Sequence, residues 1–429
     1  MKILVVSRTP WRNDNSFGNT YSNIFDGMED VSIANIYLAD GEPDGKNGIV
    51  KRYYQISESE LLKSVRKPRN KTKVGKEVFP NPNAGSSVTA SEISLAKRHR
   101  WSGFFIAREL VWKFGKANLI DMMTFVREFN PDIIFMPLYY AQYVSNMAIR
   151  IVKQLHIPVV LEASIDVYSM KQFSLDPVFW INRLAVRGTI KKIVKYAQKL
   201  YVISEKMRID YSKMLGIDCG VLYKFPDLSR RDSSSQTRKK SDQIEFVYTG
   251  NVGNGRWRTL SQLGNAIQQE HLGKLSIYTP TCIDSTMKKA LKNCALCKPV
   301  SSDEVKEIQA NADVLVHAES FDVKQKLQAR YSISTKIMDY ISANRCILAI
   351  GPKDIASMEY LHQHDLAMVC YSEQDIEQSI HAIKTDSSII DKYADKSNEY
   401  TQAMPTRKEQ QEKLKAELLQ IIFDFRHMH

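Results

Sequence analysis

Ser332, Ser334, Thr335, Lys336 and Asp339 crowd the start of "YSISTKIMDYISANRCILAIGP" (331–352), which reads as a polar turn, a short helix and a buried strand. Hydroxyls, one amine and one carboxylate at a helix mouth suit two purposes. One is capping, with Ser334 accepting from first-turn amides and Asp339 complementing the helix dipole. The other is anion binding. Unpaired N–H groups and the positive end of the dipole hold a phosphate, and Lys336 adds a cation. Asp339 lies four residues beyond Thr335, on the same helix face, where its carboxylate can accept bonds from two neighbouring sugar hydroxyls.

A second constellation is "FVYTGNVGNGRWRTL" (246–260), a strand followed by Gly250, Asn251, Gly253 and Gly255 and then Arg256 and Arg258. The glycines let a backbone approach a ligand, and the arginines bring charge. The spacing is not that of a dinucleotide fingerprint, and the same residues also read as a turn with surface arginines. After the first strand comes "SRTPWRNDNSFGNTYSN", where Gly18-Asn19 opens a helix. In open α/β sheets such loops at strand carboxyl ends are where ligands bind.

The elements that must position these residues alternate along the chain. Segments 2–7, 31–38, 132–137, 158–164 and 199–204 read as strands, with helices near 18–28, 118–129, 141–155, 178–197 and 205–215. A hydrophilic stretch, "PDLSRRDSSSQTRKKSDQ" (226–243), interrupts the pattern. It restarts with strands 244–250, 274–280, 313–319, 346–351 and 366–371 and helices 259–270, 285–293 and 335–343, and closes on an amphipathic helix, 407–425. Repeated strand–helix–strand units predict α/β architecture with parallel, doubly wound sheets. Residues 65–94 lack periodicity and read as a mobile loop.

The chain has 429 residues, 43% hydrophobic and 25% charged, which fits a globular protein of two domains. No apolar run reaches the roughly 20 residues that span a bilayer. The opening "MKILVVSRTPW" is too short for a secretory signal and reads as a buried strand, so a cytoplasmic location is expected. The six cysteines, at 219, 282, 294, 297, 346 and 370, lack framework spacing, and "CALC" (294–297) has no second pair to complete a zinc site. The net charge of +12 is local: "LLKSVRKPRNKTKVGK" (61–76) carries seven basic residues and no acid, and 95–116 carries six and one Glu. The remainder is neutral.

In order, "FVYTGNVGNGRWRTL", "VSSDEVKEIQANADVLVHAES" and "STKIMDYISANRCILAIGP" resemble the donor half of the retaining family 4 glycosyltransferases of GT-B fold, which build bacterial surface polysaccharides. "VISEKMRIDYSKMLGI" (202–217) resembles the end of that family's first domain, and "IPVVLEASIDVYS" (157–169) its acceptor-side loop. The resemblance implies two Rossmann-like domains facing each other across a cleft. Residues 1–228 would bind acceptor, with a mobile basic segment near 61–116. Residues 229–240 would be a linker, 241–405 would bind a nucleotide sugar, and 406–429 would return to the first domain.

The resemblance further implies particular roles. Asp339 would bind the donor ribose, and the backbone at Ser334 and Thr335 would hold the diphosphate. Lys336 with Arg256 or Arg258 would neutralise that leaving group, beside Gly250, Asn251 and Gly253. Gly18 and Asn19 would lie beneath it, and Asp166 or Glu162 would face the transferred sugar and acceptor. The donor expected is UDP-linked, and the acceptor a saccharide or lipid-linked saccharide. No cofactor or metal is expected, since the chain has no Asp-x-Asp clamp. Two positions depart from the family. Tyr331 stands where a Glu precedes Asp339 by eight residues, and Asn251 stands where many members have an Arg. Glu319 is the nearby carboxylate, outside that register.

"KRHRWSGFFIARELVWKF" (97–114) sets Trp101, Phe104, Phe105, Trp112 and Phe114 among cations. It suits an anionic membrane surface, or a core helix with solvated charges. No nucleic-acid motif accompanies it. A peripheral membrane glycosyltransferase is the expectation, against a GT-B epimerase acting on the donor alone or a non-catalytic subunit that binds a membrane or partner enzyme.

Overall fold

The computed structural model describes residues 1–46, 48–66, 73–82, 102–225 and 243–428. They form two compact units: residues 1–170, 174–224 and 408–429, and residues 171–173 and 225–407. No helix among the described residues is long and apolar enough to cross a membrane. Expectations for residues 83–101, including Trp101, and for the 229–240 linker fall outside the described residues.

The first unit holds an eight-stranded sheet among the described residues, in the order β4-β3-β2-β1-β5-β6-β7-β8. The strands are β1 (Lys2–Ser7), β2 (Ser32–Tyr37), β3 (Val50–Gln55), β4 (Lys76–Val78), β5 (Ile133–Pro137), β6 (Val159–Ala163), β7 (Ala197–Val202) and β8 (Cys219–Val221). All pairings are parallel except β3 with β4. Helices cover both faces, so the central strands are continuous apolar runs: Ile3 to Val6 and Ile133 to Met136 are fully buried. Asn35 is tolerated inside because its amide donates to the Val5 carbonyl (3.1 Å) and to Ser7 Oγ (3.0 Å).

The helices of this unit are α1 (Ser16–Phe25), α2 (Glu58–Arg66), α3 (Ser102–Phe114), α4 (Leu119–Phe129), α5 (Gln142–Leu155), α6 (Pro177–Val194) and α7 (Glu205–Leu215). The stretch expected to be mobile near 61–116 contains regular structure. Residues 58–66 and 102–114 are helical, and β4 pairs with β3 opposite Tyr53 to Gln55, while the Arg52 side chain grips Glu77 at 2.7 and 2.9 Å. A strand as short and polar as "KEV" carries no periodic signal.

The second unit has the sheet order β11-β10-β9-β12-β13-β14, all parallel. Its strands are β9 (Ile244–Thr249), β10 (Gly273–Tyr278), β11 (Ala295–Cys297), β12 (Val314–Ala318), β13 (Cys346–Ile350) and β14 (Met368–Cys370). Its helices are α8 (Arg256–Gln269), α9 (Ser285–Ala290), α10 (Ser302–Asn311), α11 (Val323–Ala329), α12 (Thr335–Ser342), α13 (Ala356–Gln363), α14 (Glu373–Thr385) and α15 (Ser388–Ala403). Chain order reverses between the neighbours β9 and β12. Their carboxyl ends therefore flank the crevice where open α/β sheets bind ligands.

The closing helix α16 (Arg407–Met428) packs on the first unit. Leu414, Leu418 and Ile422 form a buried stripe at helical spacing. Gln411 donates to the carbonyls of Ile24 and Asp26, both at 2.9 Å, and Glu417 accepts from Tyr201 Oη at 2.5 Å.

Candidate functional site

The β9–α8 loop is built around Gly250, whose φ of +135° is open to glycine and strained for other residues. Asn251 shapes the rest. Its side-chain oxygen accepts from the Gly253 amide (2.6 Å) and Thr281 Oγ1 (3.0 Å), and its carbonyl accepts from Tyr248 Oη (2.7 Å). Asn251 and Gly253 thus set the loop conformation through their own bonds. Arg256 opens α8, so both arginines lie in its first turn.

At the end of β12, Glu319 is buried and receives Arg256 on two points, Nε and Nη2, each at 3.1 Å. Burial raises the Glu319 carboxyl, while Arg256 opposes that shift. His317 lies behind, its Nε2 3.9 Å from Glu319 Oε1 and 3.2 Å from Ser357 Oγ. Burial, then Lys336 and Arg256, push its pKa down to about 3, so it is a neutral imidazole. Arg258 points elsewhere. It pairs with Asp322 at 2.5 Å, stacks on Trp257 at 4.7 Å and is 56% exposed. Of the two candidate arginines, the fold brings Arg256 to the switch point.

The third part is the mouth of α12. Ser334 is its N-cap, yet its side chain makes no capping bond, so the capping reading fails here. Thr335 is the first helical residue. Lys336 extends back over the β9–α8 loop, 4.6 Å from the Tyr248 ring centroid, and its Nζ lies 3.5 Å from Tyr248 Oη. A β-carbon built on Gly250 would collide with this amine. Burial chiefly, then Arg256, lower the Lys336 pKa to about 8, and Glu319 and Asp339 oppose them. Tyr340 reaches the end of β9, its hydroxyl 3.3 Å from the Thr249 amide. Arg256, Lys336 and the mouth of α12, which has no side-chain cap, lie at the carboxyl ends of β9 and β12, with the Asp339 carboxylate one turn into the helix. Such an arrangement can hold a phosphate and the sugar joined to it.

In the first unit, the expectations divide. Glu162 is next to last in β6, buried, 3.5 Å from Tyr21 Oη and 2.5 Å from Ser164 Oγ, and burial pushes its carboxyl up to about 7. Asp166 does not face outward. Its side chain is 3% exposed and its oxygens accept from the Tyr168 and Ser169 amides, Ser169 Oγ, Tyr211 Oη and Arg183 Nη2. A carboxylate so fully bonded braces its loop, which corrects its expected place against an acceptor. Gly18 and Asn19 also need correction. They lie inside α1, which Asn15 caps by accepting from the Gly18 amide at 2.7 Å. Gly18 is small because a β-carbon there would overlap the Arg12 backbone, and Asn19 is exposed.

Glu319, too, differs from expectation, since Arg256 occupies its carboxylate. Tyr331 is buried with Arg330 5.1 Å over its ring. The residues missed in sequence are His317, Tyr248 and Tyr340. His317 alone left a signal, as a polar residue inside the apolar run "DVLVHAES".

No family model matches the chain, and no curated protein matches it in sequence. Solved structures match over its full length. Anabaena HepE in complex with UDP superposes with a TM-score of 0.65 at 11% identity, over 98% of this chain and 100% of that one. HepE in complex with UDP-glucose gives 0.59 at 12%, with the same coverage. Sucrose-phosphate synthase from Thermosynechococcus elongatus gives 0.62 at 10%, over 99% of each chain. The chain has the GT-B fold, with two parallel-sheet α/β domains.

Proposed function

We propose that this GT-B chain is a retaining glycosyltransferase. It moves a hexosyl group from a nucleotide sugar, UDP-linked, to a saccharide or lipid-linked saccharide acceptor in cell-surface polysaccharide or glycolipid synthesis. One observation carries the reading: the Lys336 amine lies over Gly250 beside Arg256, at the point where β9 and β12 part. HepE, of the same fold, binds UDP and UDP-glucose.

Breaking a sugar–phosphate bond develops negative charge on the departing diphosphate. Lys336, the Nη1 donors of Arg256 that Glu319 leaves available and the first-turn amides of α12 stabilise that charge without moving. Glu319 holds Arg256 in place. Asp339 accepts from the ribose hydroxyls. In this reading protein cations neutralise the diphosphate and no metal is required, so turnover persists in excess chelator. The enzyme works at the cytoplasmic face of a membrane, where lipid-linked acceptors lie.

The test is calorimetry of UDP and UDP-sugars with the native chain and with Asp339→Ala. Loss of charged hydrogen bonds to ribose should weaken binding by about 1–3 kcal/mol. Equal affinity in a folded variant would remove Asp339 from the site. Tyr331 in place of a carboxylate favours one other reading, a donor-binding subunit without turnover; slow hydrolysis of a bound UDP-sugar excludes it. Isomerised donor in the absence of acceptor would mark an epimerase.

A further inference from the structure

On the first unit, α3, α5 and α6 pack against one another, and a groove of about 650 Å³ opens between them. Lys113 of α3, Arg150 and Lys153 of α5, and Lys192 and Lys195 at the end of α6 line it. All five are exposed, and none has an ion-pair partner among the described residues. The one acid of the lining, Glu109, accepts from the Gln142 backbone amide at 2.6 Å. Lysines in a last helical turn complement the dipole, which accounts for Lys113, Lys153 and Lys192 singly. It does not account for five cations converging from three elements with the sole carboxylate committed elsewhere. Two further lining groups, Trp112 Nε1 and Tyr143 Oη, are buried without a hydrogen-bond partner among the described residues.

The outer faces of α3 and α6 carry apolar residues, whereas α5 exposes Asn146, Arg150, Lys153 and Gln154. On α3 the exposed residues are Phe104, Ala107 and Leu110, then Lys113 and Phe114, which is 64% exposed. On α6 they are Pro177, Ile181, Leu184, Ala185 and Gly188, followed by Lys191 and Lys192. α3 and α6 thus present hydrocarbon to solvent and end in cations, and α5 adds Arg150 and Lys153, a distribution suited to a membrane interface.

We infer that the groove between α3, α5 and α6 seats the phosphate headgroup of an anionic membrane lipid, with Leu110, Phe114, Ile181 and Leu184 in the acyl boundary. The inference does not depend on the donor site, which lies in the other unit. It places the membrane contact on α5 and α6 as much as on the basic segment around residue 100.

The test is sedimentation of the full chain with vesicles of phosphatidylcholine alone or mixed with phosphatidylglycerol. Partition should require phosphatidylglycerol and weaken with added salt. The variant Arg150→Gln/Lys153→Gln/Lys192→Gln/Lys195→Gln should lower it by about 600-fold, from about fivefold for each of the four surface cations. Phe114→Ser should lower it with every cation intact. The substituted residues are exposed, and unchanged UDP affinity in each variant separates lost membrane contact from a lost donor site or fold. Equal partition of the four-charge variant, or no partition of the native chain, would overturn the inference. Inorganic phosphate that stabilises the native chain but not the variant, with no vesicle binding, would overturn the lipid assignment in favour of a soluble anion.

Discussion

The amine of Lys336 occupies the space that a β-carbon on residue 250 would take. Gly250 therefore serves twice, adopting a φ of +135° and leaving room for a cation above the loop. Gly250→Ala should displace the amine and strain the backbone, weakening UDP binding at least about tenfold, of the order of 1–3 kcal/mol. Calorimetry on the folded variant measures this, and an unaltered dissociation constant would mean the amine does not touch the ligand.

Lys336 also gives binding a pH signature. Its pKa in the folded chain is about 8, below the usual 10.5. A bound diphosphate favours the ammonium form and so raises that pKa. UDP binding should take up a proton above about pH 8, and affinity should fall as pH rises from there. Titrations in buffers of differing ionisation enthalpy read the uptake directly. Lys336→Met should weaken binding and abolish the dependence; a dependence that survives assigns it to another group.

The two arginines of α8 should separate cleanly. Arg256→Ala leaves the buried Glu319 carboxylate without its guanidinium, which costs about 3–5 kcal/mol. Arg258→Ala breaks an exposed pair, for a change below about 1 kcal/mol. Urea unfolding reports both. Turnover should drop in Arg256→Ala and persist in Arg258→Ala; the reverse order would put Arg258 at the diphosphate.

Glu162 should make stability depend on pH. Its carboxyl titrates near 7 in the folded chain against 4.5 ordinarily. The native state keeps a proton that the unfolded chain has already released. Stability therefore falls as pH rises from about 4.5 to about 7, by a total of about 3 kcal/mol, and levels off above. Glu162→Gln should flatten this slope in denaturation measured across the window. A variant that keeps the slope would locate the proton elsewhere.

Much of the molecule is written locally. Continuous apolar runs such as "ILVV" (3–6) and "CILAI" (346–350) specify buried parallel strands, and periodic helices between them specify double winding. The cluster from Ser334 to Asp339 was legible for the same reason, since a helix mouth and its first turn are set within a few residues. β4 was not legible, because three polar residues become a strand only when a neighbour offers an edge. Nor did sequence reveal which charges meet. Arg256 and Glu319 lie 63 residues apart, and their loops adjoin because β9 and β12 pair. Asp166 looked available for chemistry until Arg183 and Tyr211 were seen to saturate it, and Gly18 looked like a ligand loop until the Arg12 backbone was seen against it. Periodicity and caps act within a window of the chain, whereas the partner of a charge and the burial of a carboxylate are set by strand order. Segment types therefore belong to the sequence alone, and the occupation of each polar group to the tertiary structure.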